Sequence, residues 1–365
     1  MFVTQYNEII EIIENINPIK YGKTRNYING DVTKLSPYIS RGIISTKQVA
    51  ARVLAKGYKP YEIESFLKEL AWRDYFQQVW IALKDDINKD IKQAQPQVSN
   101  HKISKNIINA NTQVKAIDIA INNLMETGYM HNHNRMYVSS ICCNIAKSHW
   151  LIPAKWMYYY LLDADWASNA LSWQWVAGSF SSKKYYANQE NINKYAYTNQ
   201  SGTFLDVSYE NFADIDIPNI LNEYTDCYFE TNLPTTNACV IDNNLPICVY
   251  NFYNLDCNWL KEIHANRVLL LEPSFFKQYP VCQKTIDFII DLSKNINNIQ
   301  IYVGEFAELF DELRLNNIHF KEHPTNSHYK GVEHKRDWMF EQVTGYYPSF
   351  FSYWKKCEKH LKSNL

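Results

Sequence analysis

Residues 163–175 read Asp-Ala-Asp-Trp-Ala-Ser-Asn-Ala-Leu-Ser-Trp-Gln-Trp, with two carboxylates, one side-chain amide of asparagine and three indoles in a short stretch. Asp165 and Asn169 are four residues apart, as are Asn169 and Trp173, so a helix would place each pair on one face. Such a face could present carboxylate and amide groups to a flat heterocycle. An aspartate that caps a helix with tryptophans packed in the core would give the same pattern, so both interpretations stay open.

A second polar cluster occupies residues 129–136, which read Tyr-Met-His-Asn-His-Asn-Arg-Met after a Thr-Gly pair. An apolar run follows it, so the cluster lies at a predicted helix start. Backbone amides at a helix N-terminus suit a phosphate, and Arg135 could add a charged fork. Ordinary helix capping by Asn132 or Asn134 would explain the same residues.

Two weaker stretches carry polar groups near the start of the chain. Glu69 and Arg73 are four residues apart and share a helix face, where a surface ion pair is the plain alternative to a functional role. In Thr33–Tyr38, two hydroxyls and a lysine could hold a phosphate. Ser36 before Pro37 is equally a good helix start.

The first half of the chain shows helical periodicity, and the second half shows short apolar strands. Helices are predicted over 61–83, over 114–124 with an end at Gly128, over 131–150, and from Pro153 towards Asp163. Strands are predicted at Ala238–Ile241, Ile247–Tyr250, Arg267–Leu271 and Ile299–Val303, with a helix over Val281–Ile296. We therefore expect an α+β protein with a helical domain (1–206), a linker (207–237) and a small α/β domain with a parallel sheet (238–365).

Composition and charge exclude several classes of protein. With 365 residues and 46% hydrophobic residues, the chain can bury a core, and it lacks an 18-residue apolar run. The first ten residues contain Glu8 and no basic start, so we expect no signal peptide. Eight cysteines without a Cys-x-x-Cys pair favour a reduced, cytoplasmic location, and the histidines predict no metal site.

The net charge of −1 hides an asymmetry between the two halves. Residues 1–206 carry 23 Lys and Arg against 17 Asp and Glu, and residues 207–365 carry 14 against 21. Seven of the ten tryptophans lie in the basic half. Positive charge with aromatic rings suits nucleic acid or a flat cofactor, although a solvated face over a tryptophan-rich core is the alternative. The aromatic run within residues 344–354 is expected to pack on a neighbouring domain.

Four segments together resemble the cryptochrome/photolyase family, specifically its helical FAD-binding domain. They read KLSPYISRG (34–42), ELAWRD (69–74), TGYMHNHNRM (127–136) and DADWASNALSWQWVAG (163–178), in the family's order, and the last is the most specific. The resemblance covers roughly residues 20–180. The family's usual amino-terminal antenna domain does not precede this region and an α/β domain follows it, which resembles a rearranged or fused architecture.

The resemblance implies a U-shaped FAD held among helices. By motif position, the cofactor-binding residues are Tyr21, Thr33, Lys34, Leu35, Ser36, Glu69, Arg73, Asn132, Arg135, Asp163, Asp165 and Asn169. Asn169 corresponds to the residue that faces flavin N5, where an asparagine is photolyase-like. Glu69 corresponds to a carboxylate that contacts a pyrimidine lesion, and Trp173 and Trp150 correspond to two members of an electron chain. The apolar wall around a flipped dinucleotide corresponds to Trp72, Met136 and Trp175.

The resemblance implies a lyase that uses light and FAD to repair pyrimidine dimers in single- or double-stranded DNA. The alternatives are a blue-light receptor that signals to a protein partner through the C-terminal domain, and a flavin-binding remnant without light chemistry. The sequence departs from the family at three positions. The family usually has Trp where Phe66 stands, often has Trp where Tyr129 stands, and has Arg where His133 stands. Residues 85–128 contain no tryptophan for a third chain member, so a tyrosine or a different route would have to serve.

Overall fold

The computed structural model describes residues 2–235, 238–313 and 317–363. The predicted domain and linker ranges also contain residues 1, 236–237, 314–316 and 364–365, which lie outside the described residues. The α-helices are α1 (Tyr6–Glu14), α2 (Pro18–Thr24), α3 (Ser36–Ser40), α4 (Thr46–Leu54), α5 (Glu64–Leu83), α6 (Lys105–Ile108), α7 (Lys115–Thr127), α8 (Asn132–Ser140), α9 (Leu151–Tyr160), α10 (Trp166–Ala177), α11 (Gln189–Ala196), α12 (Pro273–Gln278), α13 (Gln283–Ser293), α14 (Phe306–Leu313) and α15 (Phe350–Ser363). The strands are β1 (Ile103–Ser104), β2 (Tyr224–Thr225), β3 (Ile247–Tyr250), β4 (Asn266–Leu271), β5 (Ile299–Val303), β6 (Ile318–Lys321) and β7 (Val332–His334).

This architecture confirms the predicted class, because a helix-rich first half precedes a five-stranded parallel sheet. The sheet order is β5-β4-β3-β6-β7, and every neighbouring pair runs parallel. A separate antiparallel pair joins β1 to β2. None of the described helices is both long enough and apolar enough to span a membrane.

Two glycines end helices, and the sequence analysis predicts the first of these ends, at Gly128. Gly128 follows α7 with a φ of 73°, and Gly178 follows α10 with a φ of 84°. Both values lie in the left-handed region, which glycine adopts without a steric penalty. A Cβ on Gly128 would lie 2.6 Å from Leu162 Cγ, so the turn also needs glycine for close packing.

The predicted continuous helix over 131–150 is wrong. Helix α8 ends at Ser140, a π-helical turn covers Ile141–Ile145, and Lys147 has a φ of 51°. A residue in the left-handed region cannot continue a right-handed helix, so the chain breaks before Trp150 starts α9.

The predicted strand at Ala238–Ile241 is also wrong. The backbone of Val240 is bonded to the Gln300 side chain, which donates to Val240 O and accepts from Val240 N, both at 2.8 Å. A side chain therefore takes the place of a neighbouring strand, and no ladder forms. The predicted strands Ile247–Tyr250 and Ile299–Val303 are confirmed at both ends, and the predicted strand at Arg267–Leu271 begins one residue earlier.

The described chain forms two compact units. The mixed unit consists of Met1–Pro18, Thr33–Lys84 and Glu230–Leu365, and the helical unit consists of Ile19–Val32 and Asp85–Phe229. The mixed unit therefore contains α3, α4 and α5 together with the parallel sheet. The division of the chain into domains at residues 207–237 stays a prediction.

In the mixed unit, α5 packs against the carboxyl ends of the two central strands. Trp80 meets Tyr253 and His323 edge-on, at ring separations of 5.9 and 5.1 Å, and these two residues follow β3 and β6. The Arg41 guanidinium lies 3.6 Å from the centre of the Phe252 ring. Open α/β sheets bind ligands at this place, where the connections from neighbouring strands diverge. Here the protein's own side chains fill it.

Candidate functional site

Helix α10 of the helical unit begins at the distinctive 163–175 stretch. Asp165 caps it, since its Oδ1 accepts from Ser168 N at 2.9 Å. Asn169, one turn later, donates from Nδ2 to Ala154 O of α9 at 2.8 Å, and both polar side chains are buried. Asp165 therefore caps the helix, which is one of the two interpretations that the sequence left open. Because the Nδ2 of Asn169 helps to hold α9 against α10, its carbonyl Oδ1 is the atom best suited to a ligand.

An ion pair joins the start of α8 to the residues before α10. Arg135 donates from Nη1 to Asp163 Oδ2 and from Nε to Met130 O, both at 2.9 Å. The Asp163 side chain is only 5% exposed, whereas that of Arg135 is 21% exposed. A buried carboxylate therefore fixes a partly exposed guanidinium beside the N-terminus of a helix.

Capping of α8 differs from the predicted alternatives. His131, instead of Asn132 or Asn134, caps the helix, because its Nδ1 accepts from His133 N at 3.2 Å. Asn132 is exposed at the first turn. The Oδ1 of Asn134 is buried and has no hydrogen-bond partner among the described residues.

His133 stands where the resembled family has arginine. Its Nδ1 lies 2.8 Å from Asn26 O, and its ring packs 4.4 Å from Tyr137 and 4.8 Å from Tyr195. Burial lowers the pKa of His133 below the usual value, and the nearby Arg25 lowers it further. The imidazole is therefore neutral at pH 7, so this substitution removes a positive charge from the start of α8.

The tryptophans of the helical unit differ sharply in exposure. Trp150 and Trp173 are buried, as are Trp156 and Trp166, but Trp175 is 42% exposed. Trp150 donates to Asp90, and Trp166 donates to Asn88. Trp156, like Trp80 of the mixed unit, is a buried core residue.

The mixed unit holds the remaining predicted residues. Thr33 Oγ1 accepts from Leu35 N at 3.4 Å, and Ser36 opens α3. Lys34 is exposed, with a φ of 52°, and Leu35 is buried. The turn before α3 therefore presents one ammonium and two hydroxyl groups close together in sequence.

On α5, Glu69 and Trp72 are both partly buried and lie one helical turn apart. Arg73 donates from Nη1 to Ser40 Oγ at 2.8 Å. These residues therefore share a short length of α5, which Arg73 links to the last residue of α3.

Trp72 has a ring partner that its own sequence neighbourhood does not indicate. Phe350 of α15 stacks on it with ring centres 3.8 Å apart and planes 10° apart. Phe350, Tyr353 and Trp354 are buried, which fits the packing role expected for this aromatic run, but Phe351 is 70% exposed. Only the density of aromatic residues near the C-terminus could have signalled this contact.

The structure distributes the predicted residues between the two units. The helical unit contains Tyr21, Asn132, Arg135, Met136, Trp150, Asp163, Asp165, Asn169, Trp173 and Trp175, and the mixed unit contains Thr33, Lys34, Leu35, Ser36, Glu69, Trp72 and Arg73. Within the helical unit, α8 and α10 pack together and hold Arg135 and Asp163 in contact.

The donor set of the helical unit suits a large ligand that carries both phosphate and hydroxyl groups. Arg135 and the exposed start of α8 offer positive charge and amide donors to a phosphate. The buried Oδ1 of Asn134 offers an acceptor that a ligand N–H or O–H can satisfy. A dinucleotide with a flat heterocycle fits these groups.

Comparison with known proteins identifies the region around these residues. Residues 66–225 match the family described as the FAD binding domain of DNA photolyase. The chain is 28% identical over 148 residues to deoxyribodipyrimidine photo-lyase of Alkalihalophilus pseudofirmus, covering 40% of this chain and 31% of that protein. It is 32% identical over 155 residues to the photo-lyase of Streptomyces griseus, covering 41% and 33%.

A relative with another name matches equally well. Cryptochrome DASH of Idiomarina loihiensis is 30% identical over 169 residues, covering 43% of this chain and 37% of that protein. The chain thus spans about a third of the length of these curated relatives.

Proposed function

We propose that this protein is a member of the cryptochrome/photolyase family that repairs pyrimidine dimers in DNA with light. The match of residues 66–225 to the FAD binding domain of DNA photolyase supports this. FAD is its cofactor, and when bound and reduced it supplies an electron donor that light can excite. The observation that carries the proposal is the packing of α8 on α10 in the region matched to that domain. It holds Arg135 and Asp163 in contact and carries the buried Asn169 on α10.

The start of α8 would hold the cofactor's diphosphate. Arg135 is fixed by Met130 O and Asp163, so its charge is positioned before any ligand binds. Asn132 is exposed on the first turn, where helix amides add to the positive field. The neutral His133 gives this site one positive charge fewer than arginine would, which weakens phosphate binding without removing it.

Asn169 would set the redox preference of the site. Since its Nδ2 donates to Ala154 O, the Oδ1 can accept a hydrogen bond from a ligand N–H. An acceptor that is neutral stabilises a protonated ring nitrogen without supplying a proton itself. This favours a flavin that stays reduced, as electron donation to a lesion requires.

Damaged DNA would contact aromatic and acidic side chains that are exposed or partly buried. Trp175 offers a large exposed ring on which an unstacked base can stack. Glu69 and Trp72 lie one turn apart on α5, as a carboxylate and an apolar wall for a flipped dinucleotide. Met136, partly buried on α8 of the helical unit, would offer an apolar contact to an unstacked base.

A blue-light receptor is the second candidate, and one contact favours it. Phe350 already stacks on Trp72, so one face of that indole is covered by the protein itself. The acidic character of residues 207–365 also suits a protein partner better than DNA.

One experiment separates the two functions. The purified, chemically reduced protein is illuminated with oligonucleotides that carry one pyrimidine dimer, in single- and double-stranded form, with a dark sample as control. We expect dimer loss that depends on light. Bound FAD without any dimer loss on either substrate would reject repair and favour the receptor.

A further inference from the structure

The last helix is basic within an acidic region. Helix α15 contains four lysines against the single carboxylate of Glu358, whereas residues 207–365 as a whole carry 14 Lys and Arg against 21 Asp and Glu. Positive charge is therefore concentrated on this helix against the trend of its surroundings. Such concentration indicates an anionic partner more strongly than a generally basic surface would.

Three side chains form a stripe along the outer face of α15, which we call the Phe351 stripe. Phe351, Lys355 and Lys359 follow each other at intervals of four residues, so they lie on one face of the helix. All three are exposed, and Phe351 is 70% exposed. Within the described part of the chain, neither Lys355 nor Lys359 forms an ion pair.

The opposite face of α15 anchors the stripe to α5. Phe350 stacks on Trp72, Trp354 lies under the Lys68 ammonium at 5.6 Å, and Tyr353 packs 5.7 Å from Tyr75. The stripe is thus carried on a rigid support. It starts at Phe351, the residue after Phe350, and Phe350 stacks on Trp72, one of the residues proposed to contact the lesion.

We propose that the Phe351 stripe binds the single-stranded DNA that flanks the lesion. This proposal rests on the proposed function, and it places the nucleotides next to the lesion on α15. Phe351 stacks on a base, and Lys355 and Lys359 contact phosphates, which is the combination of aromatic and basic side chains that holds single strands without reading sequence. Glu358 lies on the same helix and limits the charge, so we expect a modest contribution per phosphate.

Binding of fluorescent oligo-dT of about 16 nucleotides, with and without one dimer, tests this proposal. We compare the parent protein with Phe351→Ala and with the double variant Lys355→Ala/Lys359→Ala. The matched control is Lys261→Ala/Lys277→Ala, which removes two exposed lysines elsewhere in the mixed unit. Flavin content and far-ultraviolet circular dichroism of every variant show that the fold is kept, as exposed positions allow.

We expect Phe351→Ala to weaken binding of both oligonucleotides about 5-fold or more. The double lysine variant should reduce the slope of log affinity against log salt by about 1.4, because two contacts to single-strand phosphates are lost. The control should leave the slope unchanged.

The outcomes separate this inference from the proposed function. If the parent prefers dimer-containing DNA but both stripe variants bind like the parent, the stripe proposal is wrong and the repair proposal stands. If the stripe variants bind DNA more weakly than the parent but the parent does not prefer dimer-containing DNA, the stripe proposal stands and the repair proposal is wrong. Absence of any DNA binding overturns both. Sedimentation shows whether the parent protein self-associates. If two copies of the parent chain associate and Phe351→Ala is monomeric, the stripe binds a second copy of the chain, and the DNA proposal is wrong.

Discussion

Trp150 donates a hydrogen bond from its indole Nε1 to Asp90 Oδ1 at 2.8 Å. The indole is fully buried, and the other carboxylate oxygen of Asp90 accepts from Gln95 N. Burial keeps the pKa of the neighbouring His149 below its usual value although Asp90 raises it, so the imidazole is neutral at pH 7 and leaves the charge of Asp90 in place. An anion at the indole N–H stabilises the oxidised, positively charged ring.

Asp90→Asn should therefore slow light-driven flavin reduction several-fold while leaving FAD bound. Asparagine keeps a hydrogen-bond acceptor for Trp150 but removes the negative charge, so the indole becomes harder to oxidise. The rate of flavin bleaching under constant light with excess reductant measures this. Asn88→Ala is the control, because it removes the acceptor of another buried indole, Trp166, outside the proposed electron chain. Equal rates for parent and Asp90→Asn would contradict the prediction.

Trp173→Phe should slow photoreduction more strongly, by at least tenfold. Phenylalanine keeps most of the buried volume of Trp173 and loses the oxidisable indole. Under the proposed function, dimer repair by chemically reduced protein should survive, because a flavin that is already reduced needs no electron from Trp173. Trp156→Phe, at another buried indole, should photoreduce like the parent. If Trp173→Phe matches the parent instead, electrons take another route.

Glu69→Gln tests contact with the lesion. The amide keeps the shape of the side chain and removes its charge, so the flavin spectrum should not change. Under the proposed repair function, the quantum yield of dimer splitting should fall several-fold, because the negative charge beside the lesion is lost. Glu64→Gln removes a charge from the same helix, where Glu64 pairs with Lys68 at 2.9 Å, and should leave the yield unchanged. Equal yields in the two variants would mean that Glu69 has only a structural role.

Asp74 makes the stability of the protein depend on pH. Burial raises the pKa of its carboxyl to about 6, although hydrogen bonds from Met339 N and Thr46 Oγ1 act in the opposite direction. The folded state therefore holds the proton more tightly than the unfolded state, whose pKa is near 3.8. This contribution is complete below pH 4 and is lost as the pH rises to about 6.

Asp74→Asn should remove this loss. We measure the free energy of unfolding of both proteins in urea and subtract the parent value from that of Asp74→Asn. This difference should increase from pH 4 to pH 7 by at most about 3 kcal/mol. Asp31→Asn, at a partly exposed position, is the control and should follow the parent. If the difference between Asp74→Asn and the parent stays constant over this range, the carboxyl is already ionised in the folded protein at pH 4.

The sequence by itself determined the features that depend on neighbouring residues. Asp165 caps α10, Gly128 ends α7, and the runs Ile247–Tyr250 and Ile299–Val303 form strands, because capping, left-handed turns and buried parallel strands each leave a local pattern. Three of the four motifs lie within residues 66–225, which match the FAD binding domain of DNA photolyase as the resemblance predicted.

Tertiary structure decided what depends on residues far apart in the chain. The strands β6 and β7 carry His, Lys and Glu, so their short runs do not read as apolar. Only the pairing of β6 with β3, and of β7 with β6, makes them strands. Val240 lies in an apolar run that forms no strand, because a glutamine side chain occupies its backbone groups. Phe350 reaches Trp72 only because α15 packs on α5. Side-chain periodicity describes one element at a time, whereas these contacts depend on how separate elements pack together.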